Sequence, residues 1–148
     1  MKIESPAFKS NEFIPDKYTC VGENINPPLK FSEIPAGAIS LALLVTDPDA
    51  SIGTWVHWMV WNIDPKLNEI GEDSIPPGIE GGTSFGKSGY GGPCPPSGIH
   101  HYIFKLYALD TSLSLPEAAN RSDFDAAING HILDTSELVG LYQRNSVT

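Results

Sequence analysis

Two runs of this 148-residue chain, residues 39–46 and Trp55–Ile63, are apolar on both of the faces that a strand would present, and a third apolar run spans residues 99–109. A strand with one face in water alternates apolar with polar, so the first two runs need cover on both sides and predict buried strands at the centre of a sheet. Glycine and proline, 14 and 13 in number, fall between short apolar runs like these, as in a mainly β domain with little helix. The length suits one domain, residues 1–148, with a core large enough to stand without metal or disulfide support.

The connection from Asp47-Pro48-Asp49 to Trp55 is short, which favours an antiparallel hairpin and brings Asp47 and His57 to the same end of the sheet. Period two places Trp55, His57, Met59 and Trp61 on one face and Val56, Trp58 and Val60 on the other. In residues 99–109 it places His100, Tyr102 and Phe104 together, and His101, Ile103 and Lys105 opposite. That third run follows a loop stiffened by Pro93, Pro95 and Pro96 and opened to close backbone approach by Gly91, Gly92 and Gly98, the make-up of a preformed site or of a rigid turn. Elsewhere, residues 2–9 fit an edge strand, 10–28 an irregular segment, and 64–89 a long loop. Ser122 with Asp125 resembles a helix cap, followed by Phe124, Ala127 and Ile128 up to Gly130. Residues 131–144 fit either a final strand or a helix.

Nine basic against 18 acidic side chains give a net charge of −9, with no basic run, which argues against nucleic acid or an anionic membrane surface as partner. No stretch has the length of a membrane span, and the first residues lack the apolar segment of a signal peptide, so a cytoplasmic location is expected. Cys20 and Cys94, in a chain without such a signal, are expected to be free thiols.

Residues 81–88, Gly-Gly-Thr-Ser-Phe-Gly-Lys-Ser, satisfy the phosphate-binding pattern G-x-x-x-x-G-K-S. That pattern needs a buried strand before it and a helix after it, whereas here Pro76-Pro77-Gly78 precedes and Gly89-Tyr-Gly-Gly-Pro follows, so the match is accidental. Cys94 lacks the second cysteine and the His-x-Glu of a zinc deaminase. Asn120-Arg121-Ser122 is a glycosylation triplet without a secretion signal to use it.

Around the Gly/Pro loop remain Asp47, Asp49, His57, His100 and Tyr102. Such side chains can bind a metal, run acid/base chemistry or hold an anion, and two histidines bonded to Asp47 and Asp49 can also simply be core residues. No metal-type spacing and no nucleophile motif accompanies them. Histidine and loop N–H groups suit an oxyanion, and a neighbouring carboxylate fixes a ring tautomer.

The chain resembles the phosphatidylethanolamine-binding protein family, in its prokaryotic branch of Raf kinase inhibitor-like proteins. The likeness runs through Tyr18-Thr19-Cys20, Asn26-Pro27-Pro28-Leu29, Asp47-Pro48-Asp49-Ala50, Gly53-Thr54-Trp55-Val56-His57-Trp58, Ser84-Phe85-Gly86-Lys87, the loop to Pro96, His100 to Asp110, and Gly130-His131-Ile132-Leu133. It implies a mainly β fold with a large central antiparallel sheet, a smaller second sheet and one or two short helices. It also implies a small pocket for phosphate-like or carboxylate anions, lined by Asp47, His57, Gly92, Pro93, His100 and Tyr102, with no cofactor. His101 stands where the family usually has arginine, on the strand face opposite His100; Phe31 and Leu141 replace a usual Trp and Thr. The chain ends soon after Arg144, so the C-terminal helix of eukaryotic members is not expected. The expected function is a small binding protein with a regulatory role. The alternatives are an inhibitor of a protease or kinase, docking through residues 78–89, and an enzyme on a phosphorylated substrate with His57 or His100 as acid/base. The resemblance also permits a homodimer.

Overall fold

A computed structural model describes residues 1–144. The expectation about a helix beyond Arg144 lies outside the described residues. In chain order the elements are β1 (Lys2–Glu4), β2 (Glu12–Phe13), a 3-10 turn (Asp16–Tyr18), β3 (Leu29–Ser32), β4 (Ser40–Asp47) and β5 (Trp55–Ile63). They continue with β6 (Glu69–Ile70), β7 (Ile79–Glu80), β8 (His100–Leu109), α1 (Arg121–Ile128) and β9 (Ile132–Tyr142). The fold is mainly β, with a six-stranded sheet in the order β2-β9-β8-β4-β5-β7 and a three-stranded sheet, β1-β3-β6. Strands β4, β5 and β8 are the three apolar runs, and β4, buried at every position, lies between the other two in antiparallel register.

Both faces of the large sheet are covered at β4 and β5, which is why these strands carry no polar face. One core packs Leu43, Val45, Phe104 and Leu106 against Ile3, Leu29, Phe31 and Ile70 of the small sheet. The other packs Leu44, Met59, Trp61 and Tyr107 against Phe124 and Ile128 of α1. Phe124 is fully buried between the rings of Trp61 and Tyr107, so Phe124→Ala would cost about 3–5 kcal/mol.

Strict alternation fails along β5 at two irregularities, the first of which corrects the face assigned to Val56 from period two. Val45 pairs with Trp58 and Thr46 with Val56, so His57 is an extra residue opposite β4. The insertion resets the alternation: Val56, Met59 and Trp61 share the helix-side core, while Trp58, Val60 and Ile63 share the other. The second irregularity, between Leu41 and Leu43, leaves Asn62 at φ 56, a conformation asparagine tolerates, with its amide paired to both backbone groups of Leu113.

The helix is capped at Asn120 rather than at Ser122. Asn120 accepts from the Asp123 N–H at 2.9 Å while the Asp123 carboxylate accepts from the Asn120 N–H at 3.3 Å. Asp125 is engaged by Arg121 at 2.9 Å, and the glycosylation triplet spends its asparagine side chain on the cap. Residues 132–142 form a strand, settled by alternate burial of Leu138, Gly140 and Tyr142 against β8 and by Ile14 packed where a side chain on Gly140 would lie. Among the described residues no helix is long and apolar enough to cross a membrane. The segment 81–88 forms a small turn closed by a bridge between Gly82 and Ser88 and runs into no helix.

Cys20 and Cys94 are joined in a disulfide, which corrects the expectation of free thiols. Although 74 positions separate them, the Cys20 N–H donates to the Pro93 carbonyl at 3.1 Å, and this backbone contact brings the two Cα atoms to 5.4 Å.

Candidate functional site

Antiparallel pairing puts the end of β4, the start of β5 and the start of β8 at one end of the large sheet, where the loop of residues 89–99 crosses. A cavity of about 240 Å³ opens there, lined by Asp47, Trp55, His57, His100 and Tyr102 together with Cys94, Pro95 and Pro96. Ala50, Ser51, Ile52 and Phe85 complete the lining, so most of the wall is apolar and the polar groups gather among Asp47, His57, His100 and Tyr102.

Each histidine has one ring nitrogen fixed. His57 Nδ1 donates to the Gly91 carbonyl at 2.6 Å, which makes Nδ1 the protonated nitrogen of the neutral ring, while the Gly91 N–H donates back to the His57 carbonyl at 3.0 Å. His100 Nδ1 meets Asp47 Oδ2 at 2.6 Å, and Asp47 Oδ1 accepts from the Asp49 N–H at 2.8 Å. In both rings Nε2 has no hydrogen-bond partner among the described residues. Tyr102 stands edge-on to His57 at 5.1 Å between ring centroids and stacks with His100 at 6.5 Å. Its hydroxyl is buried and lies close enough to Asp47 to feel that charge, but makes no aligned hydrogen bond to any described residue.

Burial sets the proton chemistry of two of these groups. It lowers His57 from the ordinary imidazole value of 6.5, against the smaller opposing pull of the Gly91 carbonyl and the Asp47 charge. Burial, reinforced by Asp47, pushes the Tyr102 phenol far up, so that at any working pH it is a hydrogen-bond donor. The cavity thus offers a phenolic donor and two imidazole Nε2 atoms within an apolar enclosure. It is chemically suited to the oxygens of a small anion, or to moving a proton to one. Among the described residues no group of three or more His, Cys, Asp or Glu side chains could hold a metal ion.

Of the residues singled out from the sequence, Asp47, His57, His100 and Tyr102 converge on the cavity. Asp49 turns away: its Oδ2 accepts from both the backbone N–H and the ring Nδ1 of His101 at 2.7 Å, on the solvent-exposed side of β8, and this pairing holds its carboxyl below the usual range. Gly92 and Pro93 lie behind the wall. The Gly92 N–H donates to Asn24 Oδ1 at 2.8 Å and Pro93 accepts from Cys20. Missed from the sequence were the apolar lining residues Ile52, Trp55 and Phe85, whose only signal was nearness to Asp47 and to the Gly/Pro loop. Within 78–89, Ser84 is tied to β5 twice, through its N–H to the Val56 carbonyl at 3.0 Å and through its hydroxyl, which accepts from the Val56 N–H at 2.8 Å.

A family model for phosphatidylethanolamine-binding protein matches residues 4–143. Among curated proteins, a UPF0098 protein of Pyrococcus horikoshii is 49% identical, over 97% of this chain and 77% of its own length. A UPF0098 protein of Methanothermobacter thermautotrophicus is 45% identical over 97% and 99%. Among solved structures, a phosphatidylethanolamine-binding protein homologue of Chlamydia trachomatis superposes with a TM-score of 0.94 at 40% identity, covering 97% of each chain. E. coli YbcL, presented as a member of the mammalian family, gives 0.90 at 30% identity over 97% of this chain and 98% of its own.

Proposed function

This chain belongs to the phosphatidylethanolamine-binding protein family, and from that premise we propose that it is a small binding protein whose pocket takes a phosphate-like or carboxylate anion. The ligand sits against Asp47, His57, His100 and Tyr102, its occupancy serves a regulatory role, and the protein works in the cytoplasm. One observation carries the reading: Tyr102 lines the cavity, and its buried hydroxyl has no hydrogen-bond partner among the described residues. A buried donor left unmade costs about 1–3 kcal/mol, and an anionic oxygen is the acceptor that best recovers it. The two histidines support the same reading, because each spends Nδ1 on the protein and so, once the ring is protonated, turns Nε2–H to a ligand. The net charge of −9 repels an anion at long range, so the affinity must come from these near donors.

Addition of inorganic phosphate or acetate to the labelled protein, followed by amide and imidazole NMR shifts, tests the reading. The expected result is saturable shifts confined to Asp47, Trp55, His57, His100, Tyr102 and the loop behind them. Shifts absent at millimolar anion, or spread over surface lysines, would refute it.

A further inference from the structure

The pocket wall at Cys94, Pro95 and Pro96 belongs to a stretch, residues 89–99, without strand or helix. A second segment, residues 18–24, which begins at the end of the 3-10 turn, holds it through four ties. The Tyr90 hydroxyl donates to the Tyr18 carbonyl at 2.7 Å, the Gly92 N–H to Asn24 Oδ1 at 2.8 Å, and the Cys20 N–H to the Pro93 carbonyl at 3.1 Å. The fourth tie is the Cys20–Cys94 disulfide. The packing is close enough that a Cβ on Gly92 would lie 2.3 Å from the Tyr18 carbonyl oxygen, so the two segments cannot slide past each other while the ties hold. Gly91, one residue along, carries the carbonyl that fixes the His57 ring. The clasp therefore governs both the wall of the cavity and the orientation of one of its histidines.

Three of the ties are hydrogen bonds; the fourth can be opened by chemistry. Cys20 is exposed, and Cys94 Sγ lies 3.3 Å from Arg144 Nη1, so a thiolate leaving from Cys94 would face a guanidinium. We propose that the Cys20–Cys94 bond is a redox latch on the pocket: a dithiol reductant opens it, frees the wall and weakens anion binding, and exchange with a disulfide closes it again. The proposal rests on the reading of this cavity as an anion site. In the step, a thiolate of the dithiol attacks Cys20 Sγ and expels the Cys94 thiolate. The second thiol then attacks the mixed disulfide, leaving as a cyclic disulfide, and the two protons of the dithiol end on Cys20 and Cys94. The protein gains two electrons and the dithiol loses two, and the reverse exchange restores the latch. Open, the pocket has lost its tether and gained a thiol that can ionise beside the bound anion.

The test measures inorganic phosphate affinity by calorimetry and amide hydrogen exchange at Gly91 and Gly92, in the oxidised protein, after dithiothreitol, and after reoxidation with oxidised dithiothreitol. The double variant Cys20→Ser/Cys94→Ser, with and without the reductant, is the control. Reduction is expected to leave the exchange of the β4 and β8 amides unchanged, to speed Gly91 and Gly92 exchange, and to weaken phosphate binding about tenfold, reversibly. The double variant should stay in the weak state and ignore the reductant. Equal affinity and equal exchange in the oxidised and reduced protein would overturn the latch even if the double variant failed to fold. If the oxidised protein binds no phosphate, the pocket reading itself fails, and the exchange rates alone decide the latch: faster exchange upholds it and equal rates overturn it.

Discussion

His100 and Asp47, 53 positions apart, meet at 2.6 Å through Nδ1 and Oδ2 with both side chains largely shielded from solvent. Antiparallel pairing of β4 with β8 makes the contact, and the same carboxylate accepts the Asp49 N–H at 2.8 Å. Asp47→Ala would leave both donors without their acceptor and is expected to destabilise the protein by about 1–3 kcal/mol in urea denaturation. Asp47→Asn, which keeps an acceptor oxygen, should cost less. An unchanged midpoint in the alanine variant would show that the pair adds nothing to the fold.

Tyr102→Phe separates a binding role from a packing role. Its hydroxyl has no partner among the described residues, so its loss should leave stability unchanged or slightly raised. Phosphate affinity, in contrast, should fall by roughly ten- to a hundredfold, the worth of a hydrogen bond to a charged group. Lower stability with unchanged affinity would assign the phenol to the core.

The central sheet was legible in the sequence because β4 and β5 are apolar on both faces, and only a sheet covered on each side buries such runs. His100 and Tyr102 share a face because β8 runs in unbroken register with β9 from His100 to Ala108. Alternation misplaced Val56 at the start of β5, since a bulge depends on how the partner strand fits and leaves no mark in composition. The turn at Asp47-Pro48-Asp49 was equally opaque: two carboxylates two positions apart go to opposite sides of the sheet, one to His100 and one to His101. The disulfide depended on the backbone contact between Cys20 and Pro93, a pairing of two irregular segments for which periodicity has no signal.

His57 gives the fold a pH dependence of definite sign. The unfolded chain takes up its proton near the ordinary value of 6.5, whereas burial delays that uptake in the folded protein to lower pH. Between the two values the unfolded state binds more protons, so stability rises with pH. The penalty is fully present below the depressed folded value and absent above the unfolded one. Urea denaturation over about pH 5–8 should therefore show a positive slope on the acid side that is smaller in His57→Gln. Equal slopes in the two proteins would contradict the burial effect.

Gly92→Ala tests how tightly the loop is clasped. The added Cβ would fall 2.3 Å from the Tyr18 carbonyl oxygen and 2.4 Å from Asn24 Oδ1, the former a backbone atom that cannot swing aside. A loss of about 1–3 kcal/mol is expected in denaturant midpoint, the range for overpacking at a close contact. At Gly98, where a Cβ meets nothing within 4 Å, φ is 73, so alanine there should cost less, through backbone strain alone. Equal losses at the two sites would remove the argument for a clash at Gly92.

The measurement that bears most directly on the pocket is an NMR titration of the His57 imidazole with and without saturating inorganic phosphate, together with the phosphate Kd over about pH 5–8. An anion held by His57 stabilises the protonated ring, so bound phosphate should raise the titration midpoint of His57, and affinity should weaken as pH rises through it. His57→Gln should abolish that pH dependence and weaken binding by roughly tenfold or more. A His57 midpoint unmoved by phosphate, with a Kd flat across the same range, would mean that the two histidines are structural and that the cavity is not an anion site.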